Sequence, residues 1–162
     1  MRSLLARHLS ILTAMLACGV GSLHMPGAEP FYLGTWKITS AVAGPWWTEK
    51  GTPDAQEKNF LLGKIVVFKP GEITGPRQVA CKGPNYKVVT VPAEGLYQGA
   101  FDEMKQHDKT VDPLKLANRL GFRNNEIKTV QTGCATELDW HFVDDTTTTF
   151  GLNNYVYFLK KQ

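Results

Sequence analysis

The chain predicts an all-β fold, mainly β with one or two short helices, arranged as a single antiparallel up-and-down β-barrel. Three observations carry that expectation. Short segments with apolar side chains at every second position recur along the chain. Gly, Pro, Asn and Asp clusters separate them. Consecutive hairpins then favour a meander that closes on itself and leaves no exposed edge. A small sandwich is the alternative.

The strands are expected in order. Residues Phe31 to Val42 place Gly34, Trp36 and Ile38 on one side and Thr35, Lys37 and Thr39 on the other. Lys64 to Lys69 is rich in Ile and Val and ends at Pro70-Gly71. Gln78 to Lys82 and Tyr86 to Val91 follow, divided by Gly83-Pro84, and Gly95 to Gln98 adds a short fifth strand. Four more complete the set: Glu126 to Thr132, Thr136 to Val143, Thr146 to Leu152 and Tyr155 to Lys160. Asp144-Asp145 and Asn153-Asn154 stand where tight hairpin turns belong. Two segments read as helix and as lids or plugs on the scaffold. Asp112 to Gly121 has an N-cap Asp, a Pro at the first helical position and a C-terminal Gly. Residues Thr52 to Gly63 repeat the logic more weakly.

The first 22 residues read as a secretory signal peptide. Arg2 and Arg7 precede 13 uncharged residues, Leu9 to Gly21, and small residues follow. That run is shorter than the ~20 residues a membrane span needs. The barrel domain is expected over 29–162, periplasmic or secreted, with no transmembrane segment in the mature chain. Met15-Leu16-Ala17-Cys18 also admits lipid attachment at Cys18, although Leu16 stands where a small residue is expected. The plainer reading makes Cys18 an apolar residue of a discarded leader.

Charge then excludes a class of partner. The chain has 18 Lys+Arg and 15 Asp+Glu; losing Arg2 and Arg7 leaves 16 against 15, a net +1. The basic residues are scattered, so no nucleic-acid face is expected. Cys81 and Cys134 are the two mature cysteines and are expected to form a disulfide in an oxidising compartment. No metal site is expected, because within the barrel domain, 29–162, only His107 and His141 accompany them. No cofactor is expected.

Leu33-Gly34-Thr35-Trp36-Lys37-Ile38 opens the mature domain and resembles the Gly-x-Trp signature on the first strand of lipocalins and fatty-acid-binding proteins. The resemblance covers about six residues of the 162. It implies that Trp36 closes the base of a barrel whose cavity takes a small apolar ligand. The final strand offers no obvious Arg to pack over that Trp, as those families have.

Trp36, Trp140, Phe142, Tyr155 and Tyr157 are the residues expected to line such a cavity, or else to fill it as a packed core. Asp139 and His141 alternate with Trp140 and Phe142, which predicts a solvent-facing pair. No nucleophile elbow, zinc-protease motif or phosphate loop is present, so an enzyme is not expected. Trp46-Trp47, in a loop opened by Ala43-Gly44-Pro45, reads as a cap on the barrel mouth or an aromatic anchor for a partner protein. The leading expectation is an exported protein that binds a small apolar or amphipathic ligand. The alternative is a periplasmic inhibitor or immunity-type protein acting through its loops.

Overall fold

A computed structural model describes residues 29–162. The expected leader, Cys18 and any cleavage site lie outside the described residues. Nine strands form one antiparallel sheet: β1 Gly34–Ala43, β2 Ile65–Lys69, β3 Glu72–Thr74, β4 Cys81–Lys82, β5 Lys87–Val91, β6 Ile127–Gln131, β7 Asp139–Asp144, β8 Thr147–Leu152 and β9 Tyr155–Lys161. Their order is β4-β3-β2-β1-β9-β8-β7-β6-β5. Every neighbouring pair is consecutive in sequence except β1 and β9, where the first and last strands meet. Among the described residues no helix is long and apolar enough to cross a membrane.

The sheet curls on itself. Phe68 on β2 and Trp140 on β7 have three strands between them, yet their ring centroids are 4.8 Å apart. Trp36 on β1 meets Phe142 on β7 at 5.6 Å. Only a strongly curved sheet brings such distant strands into contact. The curl stops short of a hydrogen-bonded barrel: β4 and β5 are the two edges of a half-barrel. The Cys81–Cys134 disulfide spans the gap, joining β4 to the turn after β6. Asn85, just before β5, donates its backbone N–H to Thr132 O in that same turn, at 2.7 Å.

Both ends of the curl are stopped. At the base, Trp36 Nε1 donates to Tyr32 O at 3.0 Å, and Phe31 packs edge-on to Phe142 at 4.8 Å. At the other end sits α1, Ala55–Leu61, capped by the Asp54 carboxylate accepting from Gln56 N. Tyr155 Oη donates to Pro53 O at 2.7 Å and Tyr157 Oη to Glu57 O at 3.2 Å, tying this plug to β9.

Two expected strands give way to other structure. Gln78 to Lys82 shrinks to the two residues of β4, because Val79 and Ala80 both donate to Pro76 O in a tight turn. Its hairpin partner β3 was not anticipated. Gly95 to Gln98 is not a strand. It follows a 3-10 turn at Ala93–Gly95 and opens α2, Leu96–His107. The clearer predicted helix is α3, Pro113–Arg119, with Asp112 accepting from Lys115 N.

The sheet separates two apolar layers, as period-two strands require. Inside the curl lie Trp36, Ile38, Phe68, Val130, Trp140, Phe150, Tyr157 and Leu159. On the outside, α2 and α3 cover Ile127 and Val156 with Leu96, Phe101, Ala117, Leu120 and Phe122.

Candidate functional site

The five aromatics expected to line a cavity come together inside the curl, all with at most 5 % exposure. Phe150 stacks on Tyr157 at 5.1 Å and tilts against Trp140 at 4.8 Å, and Tyr155 meets Tyr157 at 6.1 Å. Burial raises the Tyr157 phenol pKa to about 12, so it stays a neutral donor to α1. These rings are core.

A cleft of about 660 Å³ lies instead on the outer face, over β8 and beside α2. It is built from three pieces of chain. The β1–α1 loop supplies Trp46 and Thr48. The helix supplies Tyr97, Gln98, Ala100, Glu103, Met104 and His107, with Asp108 and Val111 beyond it. The β8–β9 hairpin supplies Gly151, Leu152 and Asn153.

Gly151 explains how two large rings reach the sheet here. A Cβ at this position would lie 3.0 Å from Tyr97 Cδ1 and 3.2 Å from Trp46 Cη2. Without one, both rings settle onto β8, with centroids 5.4 Å apart. Trp46 also packs on Gly44 and donates its indole N–H to Asn153 O at 2.7 Å. Trp46 is thus half-buried in the wall of the cleft, not set at the mouth of the curl. Trp47, also half-buried, donates to Gly51 O at 3.3 Å within its own loop.

The start of α2 is held in an unusual conformation. Tyr97, Gln98 and Gly99 have φ of 52°, 58° and 83°, a left-handed turn ahead of the right-handed segment from Ala100. A non-glycine residue there costs roughly 1–2 kcal/mol. Three bonds offset that cost. The Tyr97 N–H donates to His141 Nε2 at 2.9 Å. The Tyr97 hydroxyl pairs with Thr149 Oγ1 at 3.0 Å. Gln98 Nε2 donates to Glu137 O at 3.0 Å.

His141 corrects the expectation of a surface pair. It is fully buried beneath α2, while Asp139 is half-buried at the strand start. Alternation along β7 held; the outer face is simply not solvent, because the helices cover it. Burial depresses the His141 pKa to about 3, and desolvation lifts that of Asp139.

The sequence reading missed α2, and with it most of the cleft. A signal was present. Leu96, Tyr97, Ala100, Phe101 and Met104 follow a spacing of three to four, an apolar helical stripe. Compared with known proteins, the chain matches no family model, no curated sequence and no solved structure.

Proposed function

We propose that this chain is an exported, lipocalin-like binding protein that holds a small apolar or amphipathic ligand in the cleft between α2 and the Trp46 loop. One observation carries the reading: an open cleft of about 660 Å³, floored by Trp46 and Tyr97, adjoins a strained left-handed turn. The volume falls within the roughly 300–1,000 Å³ of small-molecule sites. Its lining is mostly apolar, with Gln98, Asn153 and Thr48 as polar contacts that can orient a ligand. Strain of this kind gathers at ligand sites, where the surrounding structure sustains it.

The lipocalin likeness gains support from the base of the curl. The ammonium of Lys161, on the final strand, lies 5.4 Å from the Trp36 ring centroid. A cation thus covers the signature Trp, although it is not an Arg. A binding role rather than catalysis fits the engaged state of His141: both ring nitrogens are hydrogen-bonded and out of solvent. Export fits the leader and the disulfide.

Titration with an apolar fluorescent probe tests the reading. Saturable binding near one probe per chain, with quenched tryptophan emission, is expected, and Trp46→Ala should abolish it. Binding that survives Trp46→Ala would move the ligand elsewhere. No binding by an intact fold would end this reading and favour a loop-mediated inhibitor.

A further inference from the structure

The cleft carries two carboxylates and a histidine but no Lys or Arg. These are Glu103, Asp108 and His107, its titratable lining residues other than Tyr97. The nearby Lys105 is engaged elsewhere, 3.5 Å from Glu94. The same end of the cleft receives the carboxyl end of α2, where the Asp108 N–H caps Met104 O. Helix carboxyl ends carry partial negative charge. Trp46 lines the same cleft, and the face of an indole attracts cations more strongly than other rings. Met104, Val111 and Leu152 continue the lining as apolar surface.

Three independent features of the site therefore favour one ligand chemistry. We propose that the occupant is an organic cation, an amine or quaternary ammonium on an apolar body. Its charged head lies at the Glu103–Asp108 rim against Trp46, and its body runs along Met104, Val111 and Leu152. An anionic amphiphile meets two carboxylates in this site with no Lys or Arg to offset them, and the one imidazole, His107, is turned to Glu103 at 4.0 Å. The proposal rests on the binding reading above and adds the sign of the ligand's charge.

Isothermal titration of the disulfide-bonded protein tests it, with octyltrimethylammonium, octyl glucoside and octyl sulfate, each below its aggregation concentration. Octyltrimethylammonium should bind one per chain and about tenfold more tightly than octyl glucoside, as expected for cation–aromatic and ion-pair attraction at a partly exposed site. Octyl sulfate should be weakest. Glu103→Gln combined with Asp108→Asn should narrow the ammonium-to-glucoside ratio to about threefold or less, which is what the aromatic face alone supplies. Asn at 108 keeps a side-chain oxygen for the Thr110 N–H that Asp108 now accepts, so the turn survives. Equal binding of all three probes, a preference for the sulfate, or an unchanged ratio in the double variant overturns the cation proposal and leaves a binding cleft standing. If no probe binds the folded protein, the binding reading falls as well.

Discussion

The backbone N–H of Tyr97 donates to Nε2 of His141 at 2.9 Å, joining a strained turn on α2 to a strand of the sheet. That bond fixes the tautomer. Because Nε2 accepts, the proton sits on Nδ1, which donates to Thr129 Oγ1 at 2.8 Å, and that hydroxyl passes its own proton on to Ile127 O at 3.3 Å. The imidazole must stay neutral: a second proton on Nε2 would face the Tyr97 N–H, donor against donor.

Stability should therefore fall as the solution is acidified. The His141 pKa is about 3 in the fold, below the ordinary 6.5. With a depressed folded value, the unfolded chain binds the extra proton. The contribution is complete above pH 6.5 and is lost as pH falls toward 3. Between pH 7 and pH 5 the loss attributable to His141 should be about 2 kcal/mol. Urea denaturation of wild type and His141→Gln at both values checks this. The variant keeps an acceptor for Tyr97 and should lack this share of the pH dependence; an identical loss in both proteins would exclude His141 as its source.

Gly99 isolates the backbone part of the same turn. Its φ is 83°, and a Cβ added there meets nothing within 4 Å. Gly99→Ala should then cost about 1–2 kcal/mol through left-handed strain alone. The denaturation midpoint reads the result directly. An unchanged midpoint would mean that the turn is not fixed in solution.

The β scaffold was readable because its residues obey local rules. Turn pairs such as Asp144-Asp145 and Asn153-Asn154 bound the hairpins, and the Asp112 cap opens its helix where the sequence places it, while the helix expected from Thr52 begins at Ala55 behind an Asp54 cap. Less legible was anything set by contact between distant segments. Gly95 precedes and Gly99 interrupts the α2 stripe, and Tyr97 adopts a conformation that His141 and Thr149 help sustain, 44 and 52 residues away. Trp46 looked like an anchor because nothing nearby in sequence shows that Gly151 makes room for it.

The disulfide ties Cys81 on the edge strand β4 to Cys134 in the turn after β6. The loop they close spans 53 residues, so losing the bond should cost roughly 4 kcal/mol by the chain-entropy account. Peptide mapping without reduction should recover Cys81 and Cys134 in one linked fragment. Replacing both by Ala should also speed amide exchange in β5, whose outer edge no other strand covers. Separate peptides would leave the gap between β4 and β5 without its covalent bridge.

Trp36 is fully buried beneath Lys161 and against Phe68 and Phe142. Trp36→Ala should cost about 3–5 kcal/mol, the usual range for a large aromatic removed from a packed core. Urea denaturation reads the cost, and an unchanged midpoint would contradict this packing.

Gly151 gives the sharpest separation of cleft from core. Gly151→Val adds side-chain atoms where Tyr97 Cδ1 and Trp46 Cη2 already lie 3.0 Å and 3.2 Å from an ideal Cβ. The aromatic floor must lift. The strand itself should tolerate the change, because Val is a better strand former than Gly. Neighbouring Phe150 points to the opposite face and stays with the inner core, and Leu152 packs against that core at the edge of the cleft. Probe affinity should drop at least about tenfold, equivalent to roughly 1.4 kcal/mol, while the far-ultraviolet circular dichroism of the sheet is retained. Wild-type affinity in Gly151→Val would show that the ligand does not rest on Trp46 and Tyr97. It would direct attention to the inner face, where Trp140 and Tyr157 would have to part to admit it.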